Sequence, residues 1–237
     1  RHVSIMHGQK AYGGWVDRTG PVTLCREDLP RHPHDNFYWL QGDYIRARQQ
    51  GRSWSYTFWR PALVLGGDTV TGTLTALLAL ATYAALCRAA GEPLDFPGAE
   101  RNSVVTAIDT DIIGEALIWA ADSPAARNRT FNLANGDVFS YRDIWPVLAE
   151  AFAVPLGRDR AFTLAAEMAR LAPVWRRVVA EQRLAAPADL ASFLGGSISL
   201  ADLCLASDLR EVLSTIALRK AGFSACASTI DVCRKWI

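Results

Sequence analysis

Apolar and polar positions alternate through "RHVSIM" at the start of the chain, and this period of two predicts a strand over residues 2–6. A glycine-bounded loop, "GQKAYGG", follows. The polar, proline-containing "REDLPRHPHD" then leads into a helix predicted from about residue 36 to residue 50, ended by Gly51. The next segment, "SWSYTFWRPALVLGG", is rich in aromatic and β-branched residues and predicts a strand broken internally by Pro61.

From Val70 to Cys87 the chain runs 18 residues without a charge, the lower limit for spanning a bilayer. The run is rich in alanine, contains four threonines and has no aromatic belts at its ends. It therefore predicts a buried helix over 70–90, with Asp68 or Thr69 as N-cap and Gly91 as its stop. "EPLDFPG" is expected to be a turn-rich connection.

Apolar residues at 112, 113, 116, 117 and 120 recur at helical spacing and predict a helix over 110–122. "RTFNLANGD" predicts a short strand running into an Asn-Gly turn at 135 and 136. "SYRD", 140–143, has the form of a capping box, and Pro146 implies a kink or a late start in the helix that it opens. Beyond Ala153 the pattern is mainly helical, with breaks expected near Pro173, Pro187 and Gly195-Gly196. Strands interspersed with helices predict an α/β fold with a helical lobe toward the C-terminus.

Composition narrows the function. The chain has 237 residues, 50% hydrophobic and 21% charged, and can bury a sizeable core. Its net charge of +1 comes without a basic block, so neither nucleic acid nor an anionic membrane is an expected partner. Five scattered cysteines (Cys25, Cys87, Cys204, Cys226, Cys233) form no CxxC pair and are read as reduced thiols in the cytoplasm. His32 and His34 in "RHPHDN" lack companion ligands, so no metal site is expected. The chain opens on Arg1 with no charged leader, and strand character from residue 2 suggests a start in the middle of a fold.

Most catalytic motifs are missing. There is no GxSxG, HExxH, P-loop or GxGxxG. A pair of residues remains. Lys10 lies just beyond a strand end, where open α/β sheets place ligands, and it is one of only three lysines among 25 basic residues. An ammonium is a compact charge on a flexible stem and can sit beside a reacting oxygen. Tyr38 lies near the start of the predicted helix, where the helix terminus and a nearby ammonium would lower its pKa below the usual ~10 and suit it to donate to an oxyanion. On these residues alone, Lys10 also reads as an exposed turn lysine and Tyr38 as an aromatic core residue.

The motifs "GQKAYGG", "LPRHPHDNFYW", "WRPALVLG" and "FNLANGDVFSYRDIWPVLAEAF", in this order and spacing, resemble the progesterone 5β-reductase and iridoid synthase-like enzymes. These are atypical extended short-chain dehydrogenase/reductases. The similarity runs on through "LRKAGFSACAST". The resemblance implies the C-terminal part of a Rossmann-like fold with a mainly helical substrate lobe. It divides the chain into 1–68 with 104–135 as the nucleotide-binding part, and 69–103 with 136–237 as the lobe.

It further implies NADPH-dependent reduction of the carbon-carbon double bond of a small-molecule enone, with Lys10 and Tyr38 as the catalytic pair. Met6 and the run Pro61, Ala62, Leu63 and Val64 correspond to positions beside the nicotinamide. A homodimer is compatible with the resemblance. Some positions depart from the family pattern: Ala11 stands for the motif histidine, "RPAL" for Arg-Pro-Gly-Asn, and Trp39 for the second tyrosine of Asn-Phe-Tyr-Tyr. Gly42, four residues past Tyr38, excludes the usual Tyr-x-x-x-Lys arrangement.

In the family a Rossmann half with a Gly-rich first turn precedes the strand at residue 2. Without it, these residues are expected to bind NADPH poorly and to leave a hydrophobic sheet edge. Two other readings are a noncatalytic remnant serving as a partner module and an extended-family NAD-dependent epimerase or dehydratase.

Overall fold

The computed structural model describes residues 1–14, 16, 23–66, 75–98, 104–206 and 211–237. In chain order its elements begin with β1 (His2–Met6), a 3-10 turn (Gln9–Tyr12), β2 (Thr23–Cys25), α1 (Phe37–Gln49), β3 (Ser55–Pro61) and β4 (Leu63–Leu65). Next come α2 (Ala76–Ala90), β5 (Leu94–Pro97), β6 (Ala107–Asp109), α3 (Thr110–Asp122), β7 (Arg129–Leu133) and α4 (Tyr141–Ala151). The remainder is β8 (Leu156–Arg160), α5 (Leu164–Glu181), α6 (Leu190–Leu194), α7 (Ser197–Ala206), β9 (Glu211–Leu213), α8 (Ile216–Lys220) and α9 (Thr229–Trp236). This is the α/β class, with parallel strand pairs.

The chain forms two units. The first comprises Arg1–Val64, Val104–Phe139 and Leu209–Thr229. Its sheet has the order β1-β3-β7, with all pairings parallel. β3 is central and buried at all five interior positions, which suits its aromatic and β-branched sequence. β1 lies at one side and remains largely exposed. A short parallel pair, β2 with β9, adds to the unit.

The core gathers on β3, β7 and α3. Ile112, Ala116 and Ala120, one turn apart along α3, pack with Trp59, Ile108, Phe131 and Leu133. Fully burying a side chain of the size of Phe131 contributes about 1.5–3 kcal/mol. This anchors β3, and with it the strand ends that carry the site.

The second unit comprises Leu65–Ser103, Ser140–Asp208 and Ile230–Ile237. α2 packs on α5 and α7, and β5 pairs in parallel with β8. An ion network runs from Glu92 through Arg170 and Glu167 to Arg160 and Asp95. No helix among the described residues is long and apolar enough to cross a membrane.

Several expectations hold at the level of single residues. α1 starts on Asn36, and Gly51 follows its end at φ 68°. The capping box at Ser140 and Asp143 forms, and α3 matches its predicted span. α2 stops at Gly91 in the left-handed region; its start is at Ala76, and the proposed caps Asp68 and Thr69 lie outside the described residues.

Others are corrected. "EPLDFPG" contains β5, whose partner β8 interrupts the region expected to be mainly helical. Both strands are short, and β8 is exposed at four of its five positions, so no apolar alternation marks it. α4 begins on its cap with Pro146 inside it, and Pro173 lies within α5 instead of ending a helix. By its contacts the segment Leu209–Thr229 groups with the first unit, where β9 pairs with β2.

Candidate active site

The site is built where β1 and β3 end side by side. Met6 stands opposite Trp59, and the His7 amide continues the ladder by donating to the Trp59 carbonyl at 2.8 Å. The chain then turns. Ala11 N–H donates to the Gly8 carbonyl and Gly13 N–H to the Lys10 carbonyl, which closes the 3-10 turn that presents Lys10 to solvent. Gly13 ends this turn at φ 83°, and a Cβ there would run into the His32 ring.

Tyr38 sits in the first turn of α1. Asn36 caps the helix by accepting the Tyr38 amide on its Oδ1 at 3.0 Å. The same side chain reaches across to the Lys10 carbonyl through Nδ2 at 3.4 Å. From the other side, a Cβ on Gly8 would lie 3.0 Å from the Tyr38 hydroxyl. The structure thus brings the Lys10 turn and Tyr38 together through Gly8 and Asn36.

Under Tyr38 lies His7. Its ring is stacked between Tyr38, at 4.7 Å and 14°, and Phe58, at 4.8 Å and 15°. Burial, helped by the Arg60 and Arg46 charges, lowers the His7 pKa to about 4, so the ring is neutral at neutral pH. Arg46 closes the far side: its guanidinium lies over Phe58 at 5.0 Å and within 3.0 Å of where a Gly42 Cβ would be. The place four residues past Tyr38 is therefore filled by a cation from the next turn of the helix.

One electrostatic expectation fails. The Tyr38 pKa is raised, not lowered, and burial is the cause. The half-buried ring loses solvent against His7 and Phe37, while Lys10 stands exposed, where water screens its charge.

The other sequence candidates line the strand ends. Met6 is 39% exposed, and Ala62 is buried. The amides after β3 are committed to backbone partners: Ala62 donates to Leu133 at 2.9 Å and Leu63 to Thr106 at 3.3 Å, while Pro61 has no N–H. Trp59 is wholly buried in the core.

Sequence reasoning missed the supports of the Lys10 turn. Tyr12 donates to Asn132 Oδ1 at 2.5 Å and accepts from the buried Arg60 at 3.0 Å. Glu211, on β9, sits against Gly14, and its carbonyl receives the Gln9 side chain at 3.4 Å. Burial raises the Glu211 pKa, opposed by the bonds from Gln9 and the Gly14 backbone. Lys10, Val16, His34, Asp35, Asn36 and Phe37 line a surface cavity of about 310 Å³. Only Asn36 carried a readable signal, as a polar cap before an aromatic-rich helix start. Among the described residues no group of three or more His, Cys, Asp or Glu could hold a metal.

Parallel strands flanked by helices, with Lys10 beyond one strand end and Tyr38 on the helix α1, make a Rossmann-like α/β arrangement. Solved structures agree on the fold. UDP-glucose 4-epimerase of Thermotoga maritima superposes with TM-score 0.58 at 13% identity, over 99% of this chain and 62% of that one. RMD of Pseudomonas aeruginosa, solved with NADPH, gives 0.61 at 14% identity, over 98% and 63%.

Sequence comparison is more specific. The chain is a homologue of the iridoid synthase and steroid 5β-reductase oxidoreductases. It is 36% identical over 202 residues to an (S)-8-oxocitronellyl enol synthase of Camptotheca acuminata, covering 78% of this chain and 51% of that protein. It is 32% identical over 193 residues to a 3-oxo-Δ4,5-steroid 5β-reductase of Arabidopsis thaliana, covering 78% and 50%. The chain spans about half the length of the curated relatives it matches. No protein-family model matches it.

Proposed function

We propose that this chain carries the catalytic part of a cytoplasmic, NADPH-dependent enone reductase that acts on a small molecule. The observation that carries this reading is the convergence of the Lys10 turn and Tyr38 through Gly8 and Asn36, in a homologue of oxidoreductases.

The residues present fit the nicotinamide end of such a cofactor. Met6 ends β1 with an exposed side chain, and Pro61, Ala62, Leu63 and Val64 follow the adjacent strand end, where open α/β sheets take ligands. When bound, the cofactor would supply a hydride to the β-carbon of the enone. Tyr38 would donate a hydrogen bond to the carbonyl oxygen as it becomes an enolate. Its raised pKa keeps it a donor at neutral pH. Lys10 would add positive charge beside the same oxygen.

The epimerase reading has the fold neighbours in its favour. Against it stands Gly42, over which Arg46 lies instead of a lysine beside the tyrosine. A partner module without catalysis would use the exposed β1 edge.

The test is enone-dependent NADPH consumption, measured on this chain and on the same chain preceded by the corresponding first half of an aligned relative. Turnover that drops at least a hundredfold in Tyr38→Phe and in Lys10→Met is expected. Turnover that survives both substitutions would remove the assignment. UDP-glucose epimerisation without enone reduction would favour the second reading.

A further inference from the structure

Asn36 has spent its hydrogen-bonding groups in one direction. A backbone N–H can donate only to its oxygen, so the bond from Tyr38 fixes which way the side-chain amide faces. The two hydrogens on Nδ2 then have two receivers, the Lys10 carbonyl at 3.4 Å and His34 Nε2 at 3.2 Å. His34 Nε2 must present a lone pair, and in a neutral imidazole this puts the proton on Nδ1. That Nδ1 lies 2.9 Å from Nδ1 of His32, so His34 donates, His32 accepts, and the His32 proton sits on Nε2. The His32 ring in turn covers Gly13, the residue that ends the Lys10 turn.

We propose that His32 and His34 are positioning residues that hold the Lys10 turn against the start of α1 through this chain of hydrogen bonds, and that a second proton on either ring breaks it. A proton on His34 Nε2 would face the Asn36 Nδ2 hydrogens, donor against donor. A proton on His32 Nδ1 would face the His34 Nδ1 hydrogen in the same way.

Asp35, from the same loop, and Lys10, from the turn, line one cavity with His34. From α1, the Trp39 ring stands edge-to-face with His34, and the Arg31 and Arg60 guanidinium groups lie over the Trp39 ring.

The consequence for enone reduction rests on the function proposed above, whereas the tautomers do not. The experiment is a long-range proton–nitrogen NMR spectrum of the imidazole rings in the 237-residue chain, followed from neutral to acidic pH. His34 protonated on Nδ1 alone and His32 on Nε2 alone are expected, with the Tyr38 amide resonance moving as the pair titrates. In His32→Gln/His34→Gln that movement is expected to vanish. A His34 proton on Nε2 at neutral pH, or a Tyr38 amide that ignores the titration or still moves in the double variant, would overturn the proposal. The wild-type spectrum decides even if the variant does not fold. Enone reduction that survived Tyr38→Phe would sink the functional reading and leave these spectra as they are.

Discussion

His7 lies flat beneath Tyr38, ring centroids 4.7 Å apart and planes 14° from parallel, with Phe58 closing the stack from below. The imidazole Nε2 is buried and has no hydrogen-bond partner among the described residues. What His7 gives Tyr38 is therefore a flat surface. His7→Phe is expected to keep kcat for enone reduction within about threefold. His7→Ala, which lets the phenol ring tilt, should lower kcat about tenfold with KM for NADPH unchanged, since misplaced catalytic groups cost rate more than binding. Steady-state kinetics on a catalytically competent protein separates the two, and equal losses in both variants would refute the stacking role.

The same ring makes stability depend on pH. Its pKa is about 4 in the folded chain against the ordinary 6.5, so between these values the unfolded state binds the extra proton. Stability from this group is full above about pH 6.5 and is lost as pH falls through that window toward 4. The upper bound is about 3.4 kcal/mol. Urea unfolding at pH 7 and pH 4.5 should show a smaller drop for His7→Phe than for the wild type; equal drops would refute the linkage.

Asn36→Ala removes a helix cap and the tie to Lys10 together. Loss of the cap alone is expected to cost about 1 kcal/mol in unfolding free energy. Amide exchange should also quicken at Tyr38 and at Gly13, the residue that ends the Lys10 turn. Asn36→Asp keeps the acceptor and loses the donor, so it should restore protection at Tyr38 and leave Gly13 fast.

Glu211 has the opposite linkage from His7. Its raised pKa means that the folded chain holds a proton that the unfolded chain releases. Stability therefore falls as pH rises from the ordinary glutamate range through the folded pKa. Glu211→Gln, of nearly the same shape, is expected to raise Tm at pH 8 and to change it little at pH 4. A lower Tm at pH 8 would mean that the carboxylate form is the one the fold prefers.

How much of this could be read from sequence depends on the distance over which each feature is decided. α1 was legible because Asn36 and Gly51 mark its ends locally, and α3 because its apolar stripe repeats through the whole element. β5 and β8 were not. Each depends on a partner some 60 residues away, and "LGRDR" shows no buried face. In the site, Lys10 and Tyr38 were found through resemblance to a family. The His7 stack joins residues 31 and 51 positions apart, and nothing in "SIMHGQ" announces it. The sign of the Tyr38 pKa was misjudged because the helix terminus was weighed and the burial of the ring was not.

Lys10 stands out in solvent, and the chain has only two other lysines. One of these, Lys235, lies over the Trp236 ring at 4.6 Å. Lys220 and Lys235 are exposed as well, so amine-selective acylation marks a small set of sites, among which Lys10 is the lysine of the turn. The few modified peptides can be counted one by one by mass spectrometry, and protection of the Lys10 peptide by a bound ligand would report occupancy of the site without any turnover.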